Sequence, residues 1–495
     1  MKFSAKAWSQ GGAARAGVLQ VGGFSTETPA LLLHTRKGLP AFITPDLLSD
    51  LPTPDSRLLQ FSPLHLYAFI YPFLVLSVIL EFYSGFHFRS FSTLVSTSDL
   101  YAADKLSPSH ACVRVCVSSW EGISLKTISD LGGLHKMVGL DEHAFVAVPR
   151  DSVISLPDYQ STNKIGASFE TPSGRLLMKP MQYVEMISSM KPNMWATLAD
   201  EVPTWVSQKR NRASVDRTVR WLDDCLKSAF TNNTGGAVFG SIVGGSNIEE
   251  RKRCAQEVAK RNVSGFYLGG FGVGESMDER PSVLSAITRL PALDIVSWFY
   301  CKYYDQKFDV EELIEKVKEI LPEDKPRQIC GLGLPEEVLQ GVAAGVDLFD
   351  STKKTETNSG MHDRYIYHLT LGAFALTFPL EENGRHNSYV DQLCDAGNDG
   401  TKINLRATIY RKDMSPILDG CKCYTCQNHT KAYINHLFNV HEMLAHILLE
   451  IHNTHHYLGF FRAIREAIKR GAFEEFHLNF VRNRRDHILD TAFNS

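Results

Sequence analysis

Three cysteines lie within six positions of the chain, in the stretch CKCYTCQNHT at residues 421–430. The spacing of Cys421, Cys423 and Cys426 lets one short loop present three thiolates to a single ion, and a fourth side chain completes a tetrahedron. Three thiolates and one imidazole favour Zn²⁺ in a closed structural site rather than in a catalytic one. The sequence therefore predicts one structural zinc ion per chain.

The fourth ligand has to be chosen among the histidines that follow the last cysteine. These are His429, His436, His441, His446, His452, His455 and His456. Most of them lie in residues 431–468, which have helical periodicity, so most of the rings are expected on solvated or packing faces. One histidine should face the metal loop, and the spacing alone does not select it.

A second group of candidate chemical residues lies upstream, at the ends of predicted strands. These are Asp200 with Glu201, Gly244 with Gly245, Gly269 with Gly270, and Asp350. The glycines fit tight turns equally well, and GGFGVGE is a weak dinucleotide motif because no acidic residue is placed to bind a ribose.

The elements that position these residues alternate regularly from about residue 176 onward. Predicted strands and helices follow one another with short connections, which is typical of parallel βα units. The strands lie within residues 193–201, 236–245, 263–275, 327–333 and 346–350, and the helices within 181–190, 214–230, 248–261 and 335–345. This order predicts an α/β fold, a (β/α)8 TIM barrel with an inserted C-terminal zinc-binding subdomain, and an open doubly wound sheet as the runner-up. In a barrel, the residues that do chemistry lie at the carboxyl ends of the strands.

Composition narrows the class of protein. The 495 residues carry a formal net charge of −3, so no global basic field indicates a nucleic-acid partner and any RNA contact must be local. Seven cysteines are scattered (Cys112, Cys116, Cys225, Cys254, Cys301, Cys330 and Cys394). Without a secretory signal this pattern predicts reduced thiols and a cytoplasmic protein.

One apolar run raises the question of a membrane span. Residues 66–80 are almost entirely apolar but are too short to span a bilayer, so no integral membrane span is expected. The surrounding residues 67–119 show neither strand nor helix periodicity, and we interpret them as an insertion outside the core. The predicted organisation is the start of a barrel in 1–66, the insertion in 67–119, the barrel in 120–404 with a short polar insertion near 352–363, and a zinc-binding subdomain with C-terminal helices in 405–495.

Residues 403–453, from INLRATIYRKDM to LLEIHN, strongly resemble the C-terminal part of the tRNA-guanine transglycosylases. The likeness extends to residues 27–48, 198–203, 265–276 and 331–350. These zinc-containing TIM-barrel enzymes exchange guanine for queuine or its precursor at the wobble position of tRNA. The resemblance implies that the histidine of the "HN" pair, His452, is the fourth zinc ligand.

The resemblance also assigns catalytic positions, with a mixed outcome. Asp350 occupies the place of the family's nucleophilic aspartate, and Asp200 that of the aspartate which reads the purine edge. The glutamine that shares this task is replaced by Val243, which has no side-chain hydrogen-bonding group. The family's general-base motif DSGGFQ is absent. SDLGGLHKM resembles it superficially, and we predict instead a helix start capped by Ser129 or Asp130.

This pattern resembles the non-catalytic accessory branch of the family. It implies a heterodimer with the catalytic queuine tRNA-ribosyltransferase subunit, tRNA contact through that complex, and no catalytic residue in this chain. Two alternatives stay open: an active transglycosylase with Asp350 as the nucleophile, and a zinc barrel that binds RNA without such a partner.

Overall fold

The computed structural model describes residues 1–9, 12–36, 38–64, 124–151, 155–171, 174–271, 280–288, 321–354, 362–378, 380 and 401–482. The strands, in chain order, are β1 Lys2–Trp8, β2 Arg15–Val21, β3 Phe24–Thr28, β4 Ala30–Leu31, β5 Leu33–His34, β6 Leu58–Phe61, β7 Ala144–Ala147, β8 Leu156–Pro157, β9 Ala167–Thr171, β10 Gly174–Met178, β11 Met194–Ala196, β12 Ala237–Ile242, β13 Gly265–Leu268, β14 Arg327–Ile329, β15 Leu348–Phe349, β16 Thr352–Lys354, β17 His362–Arg364, β18 Phe374–Leu376 and β19 Lys402–Asn404.

The helices are numbered in the same way. They are α1 Pro45–Leu48, α2 Leu125–Asp130, α3 Leu134–Val138, α4 Pro180–Met190, α5 Gln208–Thr231, α6 Ile248–Ala259, α7 Arg280–Thr288, α8 Pro335–Ala343, α9 Tyr365–Leu371, α10 Tyr424–Asn428, α11 Lys431–Asn439 and α12 Met443–Lys469. Two 3₁₀ helices cover Asp55–Arg57 and Thr408–Lys412.

The central sheet is parallel and closes on itself. Its order is β4-β15-β14-β13-β12-β11-β7-β6-β5, and β4 and β5 are separated only by Leu32. The same short segment therefore pairs with β15 on one side and with β6 on the other. Leu32 N–H donates to Phe349 O at 2.6 Å, and Thr35 N–H donates to Gln60 O at 2.7 Å. The predicted (β/α)8 barrel is confirmed, and the open doubly wound sheet is excluded by this closure.

The antiparallel sheet β1-β2-β3 closes the amino-terminal end of the barrel. Its side chains Phe3, Leu19 and Val21 pack in one buried cluster with residues at the beginnings of barrel strands, among them Leu58 and Met194. With this end filled by apolar side chains, the groups able to do chemistry lie at the opposite end, where the strands finish.

Helix α5 shows why the sequence folds into the outer layer of the barrel. Ser207 precedes it, and its hydroxyl accepts a hydrogen bond from the backbone N–H of Arg210 at 3.3 Å, as an N-cap residue does. Its buried residues recur at helical spacing, and those include Val215, Trp221, Leu222 and Cys225. The predicted helix 214–230 is confirmed and begins six residues earlier, at Gln208.

The C-terminal subdomain and the barrel share one long helix. The first turns of α12 contribute Leu448 and Leu449 to a cluster with Ile434 and Phe438, whereas its later turns contribute Phe461 and others to the main barrel core. Helical periodicity was expected throughout residues 431–468. The structure has two helices, α11 and α12, separated at residues 440–442, where His441 has a φ of 60°.

The predicted helix start at Ser129 or Asp130 is wrong. These residues end helix α2, which is capped instead by Ser124, whose hydroxyl accepts from Thr127 N–H at 3.1 Å. Gly132 and Gly133 have φ values of 98° and 123° and end the helix, because only glycine adopts such angles without strain. Polar residues followed by two glycines therefore mark the end of α2 here, and not the start of a helix.

Most of the predicted insertions lie outside the described residues. The segment 67–119 does so entirely, and that prediction remains untested. Near 352–363, β16 pairs with β17 in antiparallel fashion, and residues 355–361 lie outside the described part. Of the helices that the structure describes, none combines the length and apolar character needed to cross a bilayer.

Candidate metal centre and barrel mouth

Four side chains converge between α10, its preceding loop and α12. The ligand atoms of Cys421, Cys423, Cys426 and His452 all lie within 4.8 Å of one another. The distances from the three sulfurs to His452 Nδ1 are 3.9, 3.6 and 3.3 Å. Zinc bonds of about 2.3 Å to sulfur and 2.0–2.1 Å to nitrogen in a tetrahedron separate S from N by about 3.5 Å. The cluster therefore has the dimensions of a Cys₃His zinc site.

The imidazole of His452 is already oriented for metal binding. Its Nε2 lies 2.9 Å from the carbonyl oxygen of Leu376, and a carbonyl only accepts, so Nε2 carries the proton. Nδ1 is then the unprotonated nitrogen and points at the sulfurs. A backbone carbonyl that fixes the tautomer of a ligating histidine is a recurrent feature of zinc sites.

The clustered side chains strongly influence one another's ionisation. Burial by itself lowers the pKa of His452, but hydrogen bonds and charge from Cys421 and Cys423 outweigh it and raise the pKa to about 9. The pKa of Cys421 is lowered, chiefly by hydrogen bonds from Cys423 and Cys426. The pKa of Cys426 is raised, chiefly by hydrogen bonds from Cys421 and Cys423, so the clustered side chains share protons that a bound cation would displace.

The other candidate histidines have different surroundings. His456 is buried, donates from Nε2 to Phe378 O at 2.9 Å, and has its pKa lowered to about 3 by burial. His429 stacks on Tyr433, and His446 stacks on Phe42. His436 and His441 are exposed. Among the described histidines, His452 is the one that faces the cysteine loop, as the resemblance implied.

The second candidate site is the barrel mouth, which we define by the residues at and just after the strand ends: Gln60, Arg150, Asp200, Glu201, Val243, Cys330 and Asp350. Asp350 is fully buried there. Its Oδ1 accepts from Gly331 N–H at 3.0 Å, and its Oδ2 accepts from Gln60 Nε2 at 3.3 Å. Cys330 beside it is inert, because burial and then the charge of Asp350 raise the pKa of its thiol.

The carboxylate of Asp200 is held by two arginines of α5, and we call these three residues the Asp200 clamp. Arg210 donates to both carboxylate oxygens at 2.8 Å, and Arg217 donates to Oδ2 at 3.0 Å. The same arginines reach the carbonyls of Tyr159 and Thr162. With its side chain fully buried, Asp200 has no edge left for a purine.

The carboxylate of Glu201 is also bound by an arginine. Its Oε2 accepts from Arg150 Nε at 2.8 Å, and both side chains are 5% exposed. Each acidic group that the sequence placed at the end of β11 is therefore already neutralised by an arginine of this chain.

The glycines at the ends of β12 and β13 form turns that are held by Arg251 of α6. This guanidinium donates to the carbonyls of Gly245 at 2.6 Å, of Gly269 at 2.9 Å and of Gly270 at 3.3 Å. Gly245 and Gly270 have φ values of 55° and 69°, which explains glycine at those two positions. The tight-turn interpretation therefore accounts for both glycine pairs.

Among the described residues, a small cavity lies next to Ser351, the residue that follows Asp350. A cavity of about 30 Å³ lies between the end of β5 and helices α9 and α12, lined by His34, Ser351 and Glu450 among others. That volume holds a water molecule or two and not a purine base. Val243, in the place of the purine-reading glutamine, is 1% exposed and packed in the core.

The arginines are the residues that sequence inspection missed. The separation in sequence between an arginine and its partner is six residues for Arg251 and Gly245, and it is 51 for Arg150 and Glu201. Only part of this pairing had a sequence signal, because Arg217 lies in the predicted helix 214–230 whereas Arg210 precedes its predicted start. The observed helix begins at Gln208 and places the two arginines seven residues apart on one face.

Comparisons with known proteins agree with this geometry. A family model described as "Queuine tRNA-ribosyltransferase" matches residues 114–296 and 301–486. Three relatives are each named "Queuine tRNA-ribosyltransferase accessory subunit 2". The chain is 33% identical to the Homo sapiens protein over 362 residues (68% of this chain, 77% of the relative). It is 34% identical to the Danio rerio protein over 368 residues (71% and 80%), and 32% identical to the Trichoplax adhaerens protein over 363 residues (71% and 81%).

Proposed function

The chain belongs to the queuine tRNA-ribosyltransferase family, and from this membership we propose that it is the non-catalytic accessory subunit of a heterodimeric queuine tRNA-ribosyltransferase. The complex exchanges guanine for queuine at the wobble position of tRNAs with GUN anticodons. The catalytic subunit supplies the chemistry, and this chain supplies a stable barrel, a metal-bound subdomain and contact surfaces. The names of the relatives and their coverage of the chain support this proposal.

The observation that carries the proposal is the Asp200 clamp. A transglycosylase must present one free carboxylate edge to the purine and another carboxylate to the ribose C1′. Here Asp200 is bound by Arg210 and Arg217, Val243 offers no side-chain hydrogen bond, and Asp350 is buried against Gln60 and Gly331. A purine would have to displace three well-formed charged contacts to reach Asp200, which costs more than the hydrogen bonds it gains.

The metal in this proposal is one structural Zn²⁺ per chain, bound by Cys421, Cys423, Cys426 and His452. When bound, it supplies cross-linking and not catalysis, because four protein ligands leave no open position. The cluster lies in the C-terminal subdomain, and none of its residues contributes to the barrel mouth. A cytoplasmic location is also part of the proposal, supported by free thiols at Cys225, Cys254 and Cys330.

The partner surface is proposed on the C-terminal subdomain. Among the described residues, seven of the seventeen exposed large apolar side chains fall within 409–444, and this concentration along the chain supports the choice of surface. We call them the subdomain apolar face: Ile409, Met414, Tyr424, Tyr433, Val440, Met443 and Leu444. The proposed occupant is the catalytic subunit, because membership of an accessory branch requires such a contact.

Binding measurements with the catalytic subunit test whether it occupies this surface. Met414 is 75% exposed and Tyr433 is 39% exposed, so the double variant Met414→Asp/Tyr433→Asp folds and places two charges on the apolar face. We expect its affinity for the catalytic subunit, measured by analytical ultracentrifugation, to fall at least tenfold. Phe230→Asp is the matched control, since Phe230 is 91% exposed and belongs to α5 of the barrel, outside residues 409–444. Undiminished affinity in the double variant rejects this surface, and no complex with the unmodified chain rejects the proposed function.

A further inference from the structure

The four side chains of the Cys₃His cluster differ in their access to solvent. Cys423 is 1% exposed, Cys426 is 9% exposed, and His452 is fully buried. Cys421 is partly exposed, and its neighbour Lys422 is exposed. A small solute therefore reaches the cluster from the side of Cys421.

The other described cysteines, Cys225, Cys254 and Cys330, are closed to such a solute, because all three are buried. Burial raises the pKa of the thiol to about 12 in Cys225 and to about 11 in Cys254, so both stay protonated and unreactive at neutral pH. A cysteine that binds zinc is by contrast a thiolate, which is the form that oxidants attack. Among the described cysteines, Cys421 is thus the one that would combine thiolate character with access to solvent.

The cluster is linked to the subdomain apolar face through α10. Cys423 and Cys426 belong to the buried core of the C-terminal subdomain, together with Leu448 and Leu449 of α12. Cys423 caps α10, since its sulfur accepts a hydrogen bond from Cys426 N–H at 3.3 Å. Tyr424, a member of the apolar face, lies on α10 between these two cysteines. A rearrangement of the two sulfurs therefore reaches the apolar face.

We propose that the cluster is a redox switch in which hydrogen peroxide reacts first at Cys421, releases the zinc ion and weakens contact with the catalytic subunit. This inference rests on the zinc and the partner of the proposed function, and it adds a regulation of their contact. The apolar face is the part of the molecule that carries the effect, because Tyr424 lies within the segment that the cluster holds in place.

The chemical step uses two thiolates and one peroxide. The Cys421 thiolate attacks one peroxide oxygen, the O–O bond breaks, and hydroxide leaves with the bonding electron pair. A second thiolate of the cluster then attacks the sulfur of the resulting sulfenic acid, so an S–S bond forms and a second hydroxide leaves. Two electrons have passed from the sulfurs to the peroxide, and two protons convert the hydroxides to water. One thiolate and His452 remain, which are too few ligands for a structural zinc ion.

Zinc release tests this chemical step. The zinc-loaded full chain is treated with hydrogen peroxide, the released ion is measured with a chromogenic chelator, and oxidised cysteines are mapped by peptide mass spectrometry. We expect loss of zinc together with a disulfide that includes Cys421, and recovery of zinc binding after addition of dithiothreitol and fresh zinc. Dimedone, which reacts with sulfenic acids, should label Cys421 before Cys423 or Cys426. Retention of zinc while other cysteines of the chain are oxidised overturns the inference.

A matched pair of ligand exchanges tests whether Cys421 reacts first. Cys421→His removes the accessible sulfur, Cys426→His leaves it in place, and both keep four ligands of the kinds that zinc accepts. We expect peroxide to release zinc from Cys421→His about tenfold more slowly than from Cys426→His, because the remaining sulfurs are buried. If either variant fails to bind zinc, the dimedone label on the unmodified chain decides the same point. Equal release rates, or first labelling of Cys423 or Cys426, overturn the inference.

Binding to the catalytic subunit tests the regulatory step. The chain is treated with peroxide, the excess peroxide is removed with catalase, and the affinity is measured by analytical ultracentrifugation. We expect the affinity to fall about tenfold and to return after addition of dithiothreitol and zinc. Release of zinc with unchanged affinity would show that the cluster is not a switch. An untreated chain that holds no zinc or forms no complex would instead contradict the proposed function.

Discussion

His452 links the metal cluster to the rest of the C-terminal subdomain. Its Nδ1 faces three sulfurs, while its Nε2 donates to Leu376 O of β18. The next residue, Asn453, accepts from Leu376 N–H at 2.9 Å and donates to Phe374 O at 3.0 Å. The "HN" pair therefore faces the cysteine cluster on one side and a β-strand on the other, which is a physical reason for both residue types.

At the scale of single residues, the first prediction concerns metal content. Purified protein should hold about one zinc ion per chain, and Cys423→Ala or His452→Ala should lose it, because removing one of four ligands opens the tetrahedron. The free energy of unfolding should fall with it, since binding of a structural zinc is coupled to folding. Elemental analysis and thermal unfolding measure both effects.

His436→Ala is the control for the histidine and Cys225→Ala for the thiol, since neither lies in the cluster. Both should retain full zinc. A Cys423→Ala protein that keeps one zinc per chain would contradict the assigned ligands. If only His452→Ala keeps its zinc, the fourth ligand is another histidine.

The second prediction concerns the Asp200 clamp. Arg210→Ala/Arg217→Ala leaves a buried carboxylate without its ion-pair partners and should lower the free energy of unfolding by about 3 kcal/mol. Adding Asp200→Asn to that variant should recover part of the stability, because the uncompensated charge is gone. Urea denaturation measures each step. Arg220→Ala/Lys227→Ala, at exposed positions of the same helix, should change stability by less than about 0.5 kcal/mol. Equal destabilisation of both double variants would show that the clamp adds no stability.

Residue types and spacing predicted the cysteine cluster well and the barrel mouth poorly. Cys421, Cys423 and Cys426 are close in sequence, so their convergence needs only a local loop. The pairs Arg150–Glu201 and Arg251–Gly269 join different βα units, and their formation depends on strand order and helix rotation. Such pairing is a tertiary property, which a single sequence does not display.

At the scale of elements, predictions succeeded where periodicity was strong. The helix expected over 181–190 is α4, Pro180–Met190, and the one expected over 248–261 is α6, Ile248–Ala259. Strands were predicted too long: 193–201 contains only Met194–Ala196 as a strand. Apolar patterning extends past the hydrogen-bonded part of a barrel strand, because the residues after it are also buried.

The third prediction concerns the proposed insertion. Deleting residues 67–119 should leave soluble, metal-containing protein with equal or higher stability. The strands on either side, β6 and β7, already pair along Leu58–Phe61 and Ala144–Ala147, and Val148 N–H donates to Phe61 O at 2.9 Å. Zinc content and thermal unfolding of the deletion variant check this. Insoluble or metal-free protein would show that the segment packs into the fold. Deletion of residues 125–138 is the control and should destabilise the protein, since Ile128 and Leu134 are in the core.

At the scale of the whole molecule, the described residues form a closed barrel and a C-terminal subdomain with a Cys₃His cluster, and the carboxylates of the barrel mouth are held by internal hydrogen bonds and ion pairs. Carboxylates engaged in this way agree with the proposed accessory role, because their hydrogen-bonding atoms are already occupied by groups of this chain.

Guanine exchange into a tRNA with a GUN anticodon is the most direct test of the central claim. The assay compares this chain, the catalytic subunit and their mixture, with labelled guanine as the probe. We expect no exchange by this chain alone and faster exchange by the mixture than by the catalytic subunit alone. Asp350→Asn, which keeps the size of the side chain, should leave the rate of the mixture unchanged. Exchange by the isolated chain that disappears in Asp350→Asn would contradict the accessory role and identify Asp350 as a nucleophile.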